Sequence, residues 1–327
     1  MNGSADIMRI RRVCILGGTG FIGREIANRL ANTSISIKVL TRHRERNRHL
    51  LPIPNLDLFE ADVHNPVDLH NHLEDVDAVI NLVAILNEGK KSGRRFEDVH
   101  VHLVEKILTA CRDTGVKRLL HMSALGADPD GPSRYQQTKG EGERMALAAH
   151  NEDFAVTVFQ PSVVFGREDN FLNTFAGMLK ITPAMPLPTP KARFQPVYVG
   201  DVATAFEQVL EDRESFGRTY ELGGPTVYTL EALVRYVAEL LDRRRLIVGL
   251  PDGLSRLQGR IMQHVPGKPY TVDNYLSAQV DNVCQHNGLD DLGIHPTALE
   301  AVAPSYLSGT NTRDRYDEWR RDAGRDG

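Results

Sequence analysis

Three residues in one stretch of the sequence have side chains that suit proton transfer: Ser123, Tyr135 and Lys139. Tyr135 and Lys139 are four residues apart, so on a helix they lie on the same face, one turn apart. A free tyrosine has a pKa near ~10, and a nearby ammonium group and a cationic cofactor ring would lower it towards neutrality. Ser123 would then hydrogen-bond the substrate oxygen, while Tyr135 carries the proton that accompanies a hydride. Tyr–Lys pairs at this spacing also occur by chance on exposed helices, so this prediction depends on the surrounding elements.

A glycine-rich turn lies near the start of the chain, between an apolar run at 12–16 and a helical pattern at 21–30. Glycine lets the backbone turn tightly and approach a pyrophosphate, and the N–H groups at a helix N-terminus bind such an anion. The context of strand, glycine turn and helix therefore predicts a dinucleotide site, although a glycine turn without a ligand is the alternative. The residues assigned to it are Gly17, Gly18, Thr19, Gly20, Phe21, Ile22 and Gly23.

The end of the second predicted strand indicates which dinucleotide binds. Sites for NAD(H) usually place an acidic residue there, which holds the ribose 2′-OH. This sequence has Thr41 and Arg42 instead, and a guanidinium can pair with a 2′-phosphate. We therefore predict NADP(H) rather than NAD(H), with Asp62 and Val63 flanking the adenine. The alternatives are that Arg42 is an ordinary surface charge and that Asp62 is a helix cap.

The first half of the chain alternates short apolar runs with longer helical patterns, which predicts an α/β fold with a doubly wound parallel sheet. Strands are expected at 12–16, 35–40, 56–62, 77–84, 117–123 and 155–161, with helices at 21–30 and around 96–114. In the second half, the five prolines of 180–196 predict a loop. A strand end running into a helix is predicted at 198–212, and Thr229 should cap a helix that follows it.

These patterns suggest how the chain divides. We expect residues 1–165 to form the dinucleotide-binding domain, to which 195–225 returns. A smaller lobe for substrate or partner is expected from 166–310, and a charged, solvated tail from 311–327.

The composition excludes several classes of protein. The chain has 327 residues and a net charge of −4, whereas a dedicated nucleic-acid binder usually shows a basic excess. Three widely spaced cysteines suggest reduced thiols in the cytoplasm, and no apolar run is long enough to span a membrane. No His, Cys or carboxylate cluster has metal-ligand spacing, so we predict no metal site.

Together these motifs resemble the extended short-chain dehydrogenase/reductase family over residues 12–222, through "GGTGFIGREI", "NLVA", "MSALGA", "YQQTK", "PSVVFG" and "QPVYVGDVA". The resemblance implies a cofactor site that also includes Leu82, Val83, Ala84, Lys139, Pro161, Ser162 and Val163. "PSRYQQTKGEGE" and "FQPSVVFGREDNFLNTFA" are similar to an atypical branch, that of the nucleotide-binding accessory subunit of respiratory complex I and its bacterial relatives. That likeness implies tightly held NADPH in a structural role.

The chain departs from the wider family at two positions. His100 stands where the family has an asparagine that supports the proton relay, and Gln160 replaces an arginine. An imidazole can donate or accept a proton in place of the asparagine. These departures affect the residues around the proton relay and leave the cofactor-binding glycine motif intact.

Two functions follow. The first is an NADP(H)-binding protein, either a slow oxidoreductase or a structural cofactor holder, linked to complex I or to quinone metabolism. The second is a nucleotide-sugar epimerase or dehydratase, for which Arg193, Arg244 and Tyr270 would hold the diphosphate and base.

One further segment, residues 252–270, combines apolar residues at helical spacing with Arg256, Arg260, His264 and Lys268. It is predicted either to contact an anionic membrane or a respiratory-complex partner, or to pack as an ordinary helix of the lobe. In the first case the protein would be peripheral on the cytoplasmic face of the inner membrane.

Overall fold

The computed structural model describes residues 9–89, 95–265 and 269–308. The predicted tail at 311–327 and Lys268 lie outside the described residues.

A parallel sheet forms the centre of the molecule. The strands of the described residues are β1 (Arg12–Leu16), β2 (Ser36–Thr41), β3 (Leu56–Glu60), β4 (Ala78–Asn81), β5 (Arg118–Met122), β6 (Ala155–Pro161), β7 (Val164–Phe165), β8 (Ala184–Leu187), β9 (Arg193–Phe194), β10 (Val197–Tyr198), β11 (Thr219–Leu222), β12 (Tyr228–Thr229) and β13 (Leu246–Gly249). Seven of them form one sheet, in the order β11-β6-β5-β4-β1-β2-β3, and every pairing in it is parallel. The predicted fold class is confirmed.

Helices cover both faces of this sheet and also build the region that lies apart from it. They are α1 (Phe21–Leu30), α2 (Pro66–Leu73), α3 (Leu103–Thr114), α4 (Arg134–Ala148), α5 (Phe171–Ile181), α6 (Val199–Val209), α7 (Leu230–Leu240), α8 (Asp252–Met262), α9 (Val272–Ser277), α10 (Gly288–Asp291), α11 (Leu299–Val302) and α12 (Pro304–Leu307). Side chains alternate along each strand, so Val13 and Ile15 pack under α1 and α6, whereas Cys14 and Leu16 pack under α2 and α3. Each face of the sheet therefore has its own apolar core.

The 96–114 helix begins differently from the prediction. A π-helical turn at Asp98–His102 comes before α3, although the predicted apolar row from Val99 to Cys111 is buried. Helix α4 lies against this turn without any intervening side chain, because a Cβ on Gly142 would overlap the carbonyl oxygen of His100. A Cβ on Gly140 would likewise lie 2.5 Å from the carbonyl carbon of Asp128. These two glycines therefore determine how closely α4, the helix that carries Tyr135, packs against the backbone at His100 and Asp128.

A third apolar core lies apart from the sheet, built from α5, α7, β8, β13, α11 and α12. The prediction of a loop over 180–196 is wrong, since β8 and β9 lie there. Strand β8 pairs with β13 only, so its one proline, Pro186, interrupts no second set of ladder bonds. Between 195 and 225 the chain returns to the sheet, where β11 pairs with β6. On this separate core we propose that 166–310 forms a second lobe.

Candidate cofactor and active site

The glycine turn has the shape that a dinucleotide requires. Gly17 adopts a φ of +83°, which favours glycine, and its carbonyl oxygen accepts from Gly20 N at 3.0 Å. A Cβ on Gly23 would lie 2.5 Å from Gly17 O and from Gly18 Cα, so only glycine lets α1 begin this close to the turn. Helix α1 starts at Phe21, with Gly20 as its N-cap, and no acidic residue lies in its first turn. These residues fit a pyrophosphate at the helix N-terminus.

The other residues of the predicted loop take different places. Thr19 and Phe21 are half-buried, and the Phe21 ring lies against Gly166, the glycine that ends the "PSVVFG" motif. Ile22 packs against the core between α1 and the sheet. The Ile22 side chain therefore stabilises the packing of α1 on the sheet.

Arg42 lies at the end of β2, as the sequence predicts. Its side chain is exposed, and it makes no ion pair or hydrogen bond with any residue that the structure describes. Two residues close to it in the sequence make hydrogen bonds within the protein. Thr41 Oγ1 accepts from Asn47 Nδ2 at 3.0 Å, and Arg44 Nε donates to Leu58 O at 3.1 Å. Arg42 is thus the guanidinium at this strand end that is free to meet an anion.

At the end of β3, Asp62 shapes the turn before α2. Its backbone N donates to Asp68 Oδ2 at 2.8 Å, and its Oδ1 accepts from His64 N at 3.1 Å. The side chain that caps α2 is that of Asn65, not that of Asp62. Asp62 is exposed and Val63 is half-buried, packed against the core on the α2 face.

The segment after β4 lies against the glycine turn. A Cβ on Gly17 would be 3.2 Å from the backbone carbon of Leu82, and Val83 N donates to Asn81 Oδ1 at 3.2 Å. Leu82 and Val83 are half-buried and Ala84 is exposed. Asn81 Nδ2 bonds His121 Nδ1 on β5 at 3.1 Å, a buried link between strands that the sequence did not suggest.

Two of the three catalytic candidates, Ser123 and Lys139, meet at the end of β5. Ser123 Oγ is buried and has no hydrogen-bond partner among the described residues. Lys139 Nζ, also buried, donates to Met122 O at 2.6 Å, and burial lowers the pKa of Lys139 to about 8. An ammonium has three donors, so this single carbonyl leaves capacity for a ribose hydroxyl. An unpaired buried hydroxyl beside a buried amine fits a cofactor and substrate site.

Tyr135 has the opposite pKa shift from the one expected. Burial, and then the negative charge of Asp273, raise its pKa to about 12. Tyr135 therefore keeps its proton at neutral pH, which suits a proton donor better than a proton acceptor.

His100 is held in one neutral form. Its Nε2 accepts from Ile85 N at 3.2 Å, so Nδ1 carries the proton and donates to Thr138 Oγ1 at 3.0 Å. Burial, followed by the charge of Lys139, lowers the pKa of His100 to about 3. The ring also packs edge-on against Tyr135, with centroids 5.6 Å apart. The expectation that this imidazole relays protons is therefore not supported, since both nitrogens are engaged in holding the post-β4 segment to α4.

A segment of the second lobe contacts the site at two points that sequence reasoning missed. The Asp273 carboxylate accepts from Arg134 N at 2.7 Å and from Tyr135 N at 3.3 Å, at the start of α4. The Asn282 side chain accepts from Ser162 Oγ at 2.6 Å and from Val163 N at 3.1 Å. The family resemblance predicts that Ser162 and Val163 belong to the cofactor site. In the structure Ser162 Oγ and Val163 N bond the lobe, while Pro161 O accepts from Leu125 N at 3.0 Å.

Helix α8 places its apolar residues on the outside. Leu254, Leu257 and Ile261 are each about half exposed, at 51%, 49% and 59%, whereas Ser255 and Gly259 form the buried face. The alternative in which this stripe packs inside the lobe is wrong.

Within the described ranges, no group of three or more His, Cys, Asp or Glu side chains is arranged to hold a metal ion. No helix in the same residues is both long enough and apolar enough to cross a bilayer.

Comparison with known proteins agrees with this architecture. The model of the NAD dependent epimerase/dehydratase family matches residues 13–223. The chain belongs to this family. The extended short-chain dehydrogenase/reductase resemblance is thereby confirmed.

Two relatives are mitochondrial proteins named NADH dehydrogenase (ubiquinone) 1 alpha subcomplex subunit 9. The mouse protein is 30% identical over 88% of this chain and 77% of its own length. The Arabidopsis thaliana protein is 31% identical over 90% of this chain and 76% of its own length. A solved structure, MoeE5 in complex with UDP-glucuronic acid and NAD, superposes with a TM-score of 0.70 over 95% of this chain and 99% of that one, at 18% identity. The last shows a shared fold.

Proposed function

We propose that this protein binds NADP(H) and acts either as a slow oxidoreductase or as a structural holder of the cofactor. The observation that carries the proposal is the combination of a tight glycine-rich turn at the start of α1 with an unpaired Arg42 at the end of β2. The turn fits a pyrophosphate, and the guanidinium fits the extra phosphate of NADP.

The remaining residues of the proposed cofactor site surround that turn. Asp62 and Val63 would flank the adenine, and Leu82 to Ala84 would line the side towards the second ribose. Lys139 would hold the nicotinamide ribose, since its ammonium has donors beyond the bond to Met122. Bound NADPH would supply a hydride.

The chain's own part in a reduction is to place and protonate the substrate oxygen. Ser123 Oγ would donate a hydrogen bond to that oxygen, and Tyr135 would deliver the proton. The raised pKa of Tyr135 supports this direction, because a phenol that is protonated at neutral pH can give up its proton to a developing alkoxide. His100 has no spare nitrogen for a relay, so Tyr135 must be reprotonated by another route. This supports slow turnover.

We propose a small carbonyl or quinone-related substrate and an association with respiratory complex I. The names of the curated relatives support this setting. Residues 252–270 would contact either that complex or the membrane surface, and the protein would lie in the cytoplasm, peripheral on the inner membrane.

Comparing NADPH with NADH tests the cofactor. The full chain should bind NADPH more tightly, and Arg42→Gln should weaken NADPH binding roughly 10- to 100-fold, the effect of losing a charge-assisted hydrogen bond. Binding of NADH should be unchanged. The matched control is Arg46→Gln, an exposed arginine four residues further on, which should leave both affinities as they are. Equal affinities in the wild type, or equal losses for both nucleotides in Arg42→Gln, would refute the proposal.

A nucleotide-sugar epimerase or dehydratase is the second candidate, because the family takes its name from those activities. The diphosphate residues suggested for it are not free to act together. Arg193 pairs with Asp281 at 3.2 Å, and Arg244 lines a surface cavity with Arg235 that Tyr270 does not line. Tight NAD that survives purification, with conversion of a UDP-sugar, would favour this candidate over the first.

A further inference from the structure

A two-stranded sheet of the second lobe carries an apolar outer face. Strands β8 and β13 pair in register, and their alternate side chains Met185 and Ile247 enter the lobe core. The opposite face exposes Pro186, Leu246 and Val248, with Leu246 65% and Val248 46% exposed. Ile181, at the end of the preceding helix, is 81% exposed. Exposed apolar residues that cluster in this way mark a contact surface rather than chance exposure.

Helix α8 extends this surface. Its stripe of Leu254, Leu257, Ile261 and Val265 is exposed along the whole helix and one turn beyond it. Gln258, on the flank of the stripe, donates through Nε2 to Pro186 O at 3.4 Å, so the helix lies beside β8. The outer face of the sheet and the stripe are therefore neighbours. We call the two together the outer apolar face.

Basic residues surround this face. The stretch from Asp242 to Arg260 contains five arginines and two aspartates, in a chain whose net charge is −4. Arg243, Arg244, Arg256 and Arg260 are exposed, as is Lys180 beside Ile181. Of the aspartates, Asp252 accepts a hydrogen bond from the Tyr275 hydroxyl at 2.7 Å. The positive charge is thus local and lies around apolar side chains.

We propose that the outer apolar face binds an anionic phospholipid bilayer. A helix with an apolar stripe and flanking arginines buries the stripe at the level of the headgroups, while each arginine gains about 1 kcal/mol from anionic lipid. Charge complementarity selects this occupant. The protein as a whole is acidic and would be repelled by an anionic bilayer, whereas the arginines around the outer apolar face would be attracted to it. This inference deepens the proposed peripheral placement and does not depend on the proposed nucleotide.

Flotation of the full-length protein with lipid vesicles tests the proposal. The protein should float with vesicles of phosphatidylcholine mixed with phosphatidylglycerol, should stay behind with phosphatidylcholine alone, and should be released by high salt. The double variant Arg256→Gln/Arg260→Gln should lower the partition coefficient roughly 30-fold, the equivalent of two arginines at a charged surface. Leu257→Ser/Ile261→Ser should abolish flotation at physiological salt.

Matched controls use exposed residues elsewhere on the molecule. Arg48→Gln/Arg213→Gln removes two exposed arginines, and Val67→Ser removes a valine that is 63% exposed on α2. Both variants should float like the wild type. NADPH titration of every variant separates the two proposals, since a bilayer variant should keep its nucleotide affinity. No flotation with anionic vesicles at low salt would overturn the proposal and leave a protein partner for this face. Undiminished flotation of both α8 variants would overturn it as well.

Discussion

Replacing His100 by asparagine should remove an acid-sensitive part of the protein's stability. The native imidazole is neutral because Ile85 N donates to its Nε2 and burial excludes the charged form. Its pKa is about 3 in the folded protein, against 6.5 for an ordinary histidine. The unfolded chain therefore takes up a proton at mildly acidic pH that the folded chain does not.

The sign and size of the effect follow from this difference. The contribution of His100 is fully present above pH 6.5 and is lost as the pH falls towards about 3. At ~1.4 kcal/mol for each pH unit, the wild type should lose about 2 kcal/mol of its free energy of unfolding by pH 5 through this residue alone. The His100→Asn variant should not lose this 2 kcal/mol, because asparagine does not titrate in this pH range. The asparagine oxygen can still accept the hydrogen bond from Ile85 N.

Urea unfolding of both proteins at pH 7, 6 and 5, followed by circular dichroism, measures the difference. The gap in free energy of unfolding between wild type and variant should narrow by about 2 kcal/mol over this range. His286→Asn is a control of opposite sign, because Asp291 raises the pKa of the exposed His286 and stabilises it when protonated. Parallel pH profiles for wild type and His100→Asn would show that His100 is not the buried neutral base that the structure describes.

Two further substitutions test the fold around the site. Gly23→Ala should abolish nucleotide binding in a titration, because the added Cβ would overlap the backbone of the turn, whereas Gly177→Ala, with no atom within 4 Å of its added Cβ, should bind normally. Arg118→Met should lower the free energy of unfolding by about 2–4 kcal/mol in urea, since the fully buried guanidinium donates to the last carbonyls of α6, Val209 O and Leu210 O. An unchanged unfolding midpoint in Arg118→Met would contradict that role.

The elements around the glycine turn could be predicted closely from the sequence. Helix α1 spans Phe21–Leu30 as expected, because its start is fixed by the glycines and its apolar residues repeat at helical spacing. Strand β8 could not be predicted, since Pro186 within it and the prolines on either side indicate a loop, and only pairing with β13 makes it a strand. A two-stranded pair needs ladder bonds on one side alone, so proline is tolerated there.

The sequence places Ser123 at the end of a strand and Lys139 on a helix, as the structure has them, but it does not indicate the electrostatics around them. The pKa of Tyr135 depends on its burial and then on Asp273, which is 138 residues away in the sequence. Asn282 bonds Ser162 from 120 residues away. No local pattern indicates such contacts, because they arise only when the second lobe folds onto the strand ends.

The helix that carries Tyr135, α4, is positioned by two glycines that have no side chain. Gly140 and Gly142 allow α4 to rest directly on the backbone at Asp128 and His100. A single methyl group at either place would push α4 away from that backbone and would displace Tyr135 with it. Substitution of these two buried glycines, which carry no functional group of their own, would thus move Tyr135 although the tyrosine itself is unchanged.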